Sequence, residues 1–82
     1  MELQSQLIAA NEELAAQGSR LRIEQRGQKL CLRGTLPSRD DPGRQSVQRI
    51  SLGLKADPSG LEDASQTARV IQRQLERGSF KW

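Results

Sequence analysis

Three short stretches of this chain alternate apolar and polar residues, and that alternation leaves few folds open. In residues 19–26, Leu21 and Ile23 fall on one side of an extended strand, and Arg20, Arg22, Glu24 and Arg26 on the other. In residues 29–36, Leu30, Leu32, Gly34 and Leu36 share a side, opposite Lys29, Cys31, Arg33 and Thr35. In residues 45–54, Gln48, Ile50, Leu52 and Leu54 face away from Val47, Arg49 and Ser51. Only Gly27 and Gln28 separate the first two runs, and a glycine in the first place of a two-residue loop suits a type II′ hairpin. A polar loop of residues 37–44, with two prolines, separates the second run from the third. Pro37 has no N–H to offer a ladder and ends the second run. Short, adjacent, alternating runs are most economically satisfied by an antiparallel meander.

Helical periodicity flanks these runs. Residues 2–16 are rich in Glu, Gln, Leu and Ala without Gly or Pro, and Leu3, Leu7, Ala10 and Leu14 form a two-heptad apolar seam that stops at Gly18. The seam serves either its own domain or a second chain, as a short coiled coil. After Asp57, Pro58 and Ser59, the spacing of Ser59 and Glu62 reads as a capping box for a helix of about residues 60–77. Leu61, Ala64, Ala68, Ile71 and Leu75 make its apolar stripe, Arg73 and Arg77 suit its last turns, and Gly78 stops it. Phe80 and Trp82 are placed to cover its end. The expected fold class is α+β: a three-stranded antiparallel sheet packed on one C-terminal helix, with an additional N-terminal helix. The chain divides into residues 1–18, the N-terminal helix, and 19–82, the sheet and its helix. The expected core is Leu21, Ile23, Leu30, Leu32, Ile50, Leu52, Leu54, Leu61, Ala64, Ala68, Ile71 and Leu75.

Composition then removes whole classes of function. Among 82 residues there is no His and no Tyr, so imidazole acid–base chemistry, His metal ligation and a tyrosine nucleophile are all absent. A single Cys forms no intrachain disulfide and no multi-cysteine zinc site. Asp40 and Asp41 are adjacent carboxylates in a polar loop and read as solvated turn residues. No phosphate-cradling glycine motif is present. No catalytic residue, metal or cofactor is expected. There is no run long enough to span a membrane and no signal peptide, so the expected setting is the cytoplasm.

Charge is the informative remainder. All 13 Lys and Arg residues lie in residues 19–82, while residues 1–18 carry only acids. If the strands pair as a meander, six of the 13 share the sheet face that the C-terminal helix leaves open: Arg20, Arg22, Arg26, Lys29, Arg33 and Arg49. Like charges on neighbouring strands repel, and a phosphate backbone relieves that cost. A plain solvated basic surface is the alternative. A β-ribbon fits the major groove of duplex DNA. Single-stranded nucleic acid fits less well, because the face offers no aromatic ring for bases to stack on.

The order of these parts resembles a known family. A basic strand, a Gly turn and a strand with a polar loop lead to a strand closing on Ser51, Leu52, Gly53 and Leu54. A Pro-containing break and an amphipathic helix ending in Gly78, Phe80 and Trp82 follow. This is similar to the N-terminal arm-type DNA-binding domain of phage integrases, the tyrosine recombinases, over about residues 19–82. The resemblance implies a sheet inserted into the major groove of arm-type sites, with core-binding and catalytic domains following in a longer recombinase, of which this chain would be a fragment. The helix of residues 2–16 lies outside that pattern, and the resemblance leaves it as a contact between integrase protomers or a lid on its own sheet.

The expected function is therefore sequence-specific binding of double-stranded DNA. Arg22, Arg33 and Arg49 lie mid-strand and are candidates for base edges. Arg20, Arg26, Lys29 and Arg44 lie at strand ends and turns and are candidates for phosphates. The alternative is a protein-interaction module that uses the Leu3, Leu7 and Leu14 seam or a sheet edge.

Overall fold

A two-residue loop joins the first two strands, β1 (Leu21–Arg26) and β2 (Lys29–Pro37), with Arg26 opposite Lys29. The computed structural model describes residues 3–41 and 43–81 of the chain; the expected contact of Trp82 and a helix start at residue 2 lie outside them. Gly27 has φ +62°, and no described non-glycine residue has positive φ, which leaves Gln28 negative. That combination is the expected type II′ turn, whose twist matches the flanking strands. β1 begins at Leu21 and not at residue 19. Ser19 instead belongs to the link from the preceding helix, where its Oγ accepts from the Leu21 N–H at 3.1 Å.

The third strand, β3 (Gln45–Lys55), pairs antiparallel with β2, giving the order β1-β2-β3 and the expected meander. Its register runs from Pro37 opposite Gln45 to Cys31 opposite Ser51, then jumps so that Leu30 faces Leu54. Leu52 and Gly53 are the bulged pair, and Gly53 takes φ +68°, a left-handed conformation that a side chain resists. A single inserted residue would throw the rest of the strand onto the wrong face. Two preserve it, so Ile50, Leu52 and Leu54 all rest half-buried against one core.

Helix α2 (Pro58–Arg77) crosses the apolar face. Its N-cap is Asp57, whose Oδ1 accepts from the Gly60 N–H at 2.7 Å, with Pro58 at the first helical position. The expected Ser59–Glu62 box is thus replaced by a start two residues earlier, because Asp followed by Pro satisfies both cap and first turn. At the other end the Ser79 N–H reaches the Gln74 carbonyl at 2.8 Å and the Gly78 N–H the Leu75 carbonyl at 3.2 Å, a Schellman closure.

Helix α1 (Leu3–Ala16) lies along the outer edge of β1 and beside α2. Leu7 and Leu14 enter the same core as Leu21, Ile23, Leu30, Leu32, Leu36, Leu61, Ala64, Ala68 and Ile71. The expected core lacked Leu7, Leu14 and Leu36, and Ile50, Leu52, Leu54 and Leu75 prove only partly buried. Asn11 fixes the helix to the strand. Its Oδ1 accepts from the Ile23 N–H at 2.7 Å and its Nδ2 donates to the Ile23 carbonyl at 2.9 Å. One carboxamide thereby satisfies the backbone of an edge residue as a fourth strand would. An ion pair of Arg69 with Glu13 at 3.6 Å links the two helices. The result is a two-layer α+β fold with both helices on one side of the sheet.

Candidate nucleic-acid interface

Opposite the helices, the pairing sorts the outward side chains into rows across the strands. Arg22, Arg33 and Arg49 form one row, with Arg33 on the central strand between the other two. Glu24, Cys31 and Ser51 form the next. Arg26, Lys29 and Lys55 form a third beside the hairpin turn. At the opposite end Thr35 faces Val47, and Arg20 stands beside them. All three arginines of the first row are exposed, as are Arg20, Arg26, Lys29 and Lys55. Neither helix covers this face. At a strand spacing of about 4.8 Å the sheet is about 10 Å wide between its outer strands, against a major groove of about 12 Å.

The three central arginines are held differently. Arg22 is tied back to its own strand: its Nη1 donates to the carbonyls of Ser19 at 2.8 Å and Leu21 at 2.7 Å. The Arg33 side chain has no hydrogen-bond or ion-pair partner among the described residues and stands exposed on the central strand. Arg49 donates through Nε to Glu24 Oε1 at 2.8 Å. The Arg49 bond holds the Glu24 carboxyl below the usual carboxylate range against the opposing effect of burial, with the charges of Arg49, Arg33 and Arg26 adding to it. Beneath this pair Cys31 is 5% exposed although it lies on the outward face. Burial, then the negative charge of Glu24, pushes its thiol up, so it is a packing residue under the rows and not a reactive thiolate.

The remaining expected residues are distributed around this centre. Arg20 donates through Nη1 to Gln45 Oε1 at 3.3 Å, and its backbone N–H donates to Gln72 Oε1 at 3.0 Å. Arg44 stands apart, in a loop hollow with Ser38, Asp40, Asp41 and Ser46. There Asp41 is the exposed turn residue expected: its Oδ1 accepts from the Gly43 N–H at 3.1 Å and its carbonyl from the Arg44 N–H at 2.9 Å. Two cations escaped the sequence reading. Lys55 lies one residue beyond the expected strand end, and counting the alternation one step further finds it. Arg39, from the loop, lines an open hollow of about 360 Å³ with Arg26, Lys29, Cys31, Arg49 and Ser51; nothing in the loop's composition marks it. Among the described residues no cluster of His, Cys, Asp or Glu has the makings of a metal site, and no helix is long and apolar enough to cross a membrane.

Such a surface has the chemistry of a polyanion seat: dense exposed cations in rows across three strands and one apolar side chain, Val47, 60% exposed at its end. Comparison with known proteins adds a lineage. The family model described as the XisA/XisC N-terminal domain matches residues 1–82. Excisase C of Nostoc sp. (strain PCC 7120 / SAG 25.82 / UTEX 2576) is 30% identical over 83 residues, covering 96% of this chain and 17% of that protein. The chain therefore spans about a sixth of the length of the curated relative it matches. No solved structure matches the chain.

Proposed function

The chain belongs to the XisA/XisC N-terminal domain family, and from that premise we propose that it binds double-stranded DNA in site-specific recombination, through the open sheet face laid in the major groove. The observation that carries the reading is the Arg22–Arg33–Arg49 row, exposed across three strands on the side neither helix covers. The relative's name, Excisase C, supplies the recombination context. The similarity to the arm-type domains of phage integrases, noted above, supplies the mode.

In this reading Arg33 and Arg49 meet base edges. Arg22, whose Nη1 is engaged with backbone carbonyls, adds charge beside them. Arg20, Arg26, Lys29 and Lys55 lie toward the margins and meet phosphates, with Arg44 in reach of a flanking backbone. The chain supplies recognition and not chemistry: it holds neither Tyr nor His. The strand-exchange activity, of the tyrosine-recombinase type, belongs to other parts of a longer protein. Contact between protomers through α1 would use its outer surface, since Leu7 and Leu14 are occupied within the domain's own core.

A salt titration of binding to duplexes carrying candidate recombination sites, against scrambled duplexes, tests this. Affinity should fall steeply and linearly in log–log form as salt rises, with a preference for a short repeated site. Removing the Lys29 charge should weaken binding to all duplexes alike and reduce the slope by about 1, whereas Arg33→Ala should cost about 1–3 kcal/mol and relax preference at one position. Weak, salt-insensitive binding without preference refutes the reading.

A further inference from the structure

Glu24 is the one acid among the outward-facing strand residues, placed between two cationic rows. On a surface meant only to hold phosphate it is a liability, because it repels the ligand. Its geometry gives it another use. Arg49 engages it through Nε, and its two Nη groups have no hydrogen-bond partner among the described residues. Oε1 takes the Arg49 bond and lies 3.9 Å from the Cys31 thiol, while Oε2 has no partner among the described residues. The pair therefore offers two unengaged Nη donors and one unengaged carboxylate oxygen from adjoining side chains. The major-groove edge of a G·C pair presents the complement: the N7 and O6 acceptors of guanine and the N4 amino donor of cytosine.

We propose that Glu24 and Arg49 act together as the specificity element for one G·C pair, Arg49 reading guanine and Glu24 both positioning Arg49 and accepting from the cytosine amine. This rests on the duplex-binding reading above. Fixing the guanidinium before binding removes rotamer entropy that a free arginine loses on contact, so the pair favours the matched base over the rest of the site. A·T at that position puts an amino donor or a methyl where the guanidinium seeks an acceptor.

The test is selection of bound sites from a pool of randomised duplexes by the protein and by Glu24→Ala, Glu24→Gln and Arg49→Ala, followed by competition titrations in which each base pair of the selected site is changed in turn. Thermal unfolding of each variant shows that it is folded. The protein should prefer G·C at one position by about 5- to 150-fold, the range of a good bidentate contact. Glu24→Ala and Arg49→Ala should lose that preference while keeping the others. Glu24→Gln, whose single oxygen can serve Arg49 while an NH2 donor replaces the other acceptor, should keep Arg49 positioned but lose the contact to the cytosine amine, and so keep only part of the preference. If Glu24→Ala instead tightens binding to every duplex equally, with all preferences intact, Glu24 is only a repelling charge and the proposal fails while the binding reading stands. If the unaltered protein selects no site at all, both fail.

Discussion

Opposite fates of two titratable side chains show how this surface is built residue by residue. Glu24 is kept ionised and Cys31, in contact with it, is kept protonated, so the pair carries one negative charge set among cations. The native Glu24 pKa lies below that of the unfolded chain. Its contribution to stability is therefore complete above the ordinary glutamate range and is lost as pH falls through the native value. The difference in unfolding free energy between the protein and Glu24→Gln should be present at neutral pH and shrink as pH falls through the lowered native value, in urea titrations. It should stay under about 1 kcal/mol, because Arg49 and Glu24 remain 47% and 31% exposed and solvent screens the pair. A difference that grew on acidification would contradict the assigned direction. The Arg22, Arg33 and Arg49 row adds like-charge repulsion across neighbouring strands. Replacing Arg33 should therefore cost binding without costing stability, a separation that paired melting and binding curves measure.

At the scale of elements, the strands were legible and their attachments were not. Alternation in three runs identifies β1, β2 and β3 and which residues share a face, because burial on one side leaves a period of two in the sequence. The face survives the bulge because two residues are inserted, and Gly53 is the visible trace of that irregularity. Gly53→Ala should lower stability by about 1–2 kcal/mol through the left-handed conformation it must hold, and denaturant titration checks this. The start of α2 was legible too, in the Asp57–Pro58 pair, but a competing signal at Ser59 and Glu62 two residues on obscured it. What α1 packs against was not legible: Leu3, Leu7, Ala10 and Leu14 suit any apolar partner, within the chain or outside it. Nor was the part played by Asn11, since one polar residue on a helix gives no sign that a strand edge needs it. Asn11→Leu should cost about 1–3 kcal/mol, the penalty of leaving the Ile23 backbone donor and acceptor without partners. Hydrogen exchange should show the Ile23 amide as the site most affected.

On the scale of the whole molecule, one core joins what the sequence divided at residue 18. Leu14 is 1% exposed in the cluster that includes Leu21, Leu32 and Ala68. Leu14→Ala should cost about 2–5 kcal/mol, and helix and sheet signals should melt together in a single transition. A separate early loss of helix signal would divide α1 from the rest. Because a fold of this size has little surplus stability, removing α1 should impair DNA binding through loss of the sheet, though no residue of α1 stands among the candidate contacts. The two margins of that sheet differ. On β1, α1 and the Asn11 carboxamide close the backbone to further pairing. On β3, the Leu52–Gly53 irregularity breaks an edge of 11 residues that also bears Arg49 and Lys55. An open, flat, neutral edge recruits identical edges from other molecules into fibrils. Here one margin is occupied at Ile23 and the other is broken and charged, so neither offers the long regular edge from which such pairing starts.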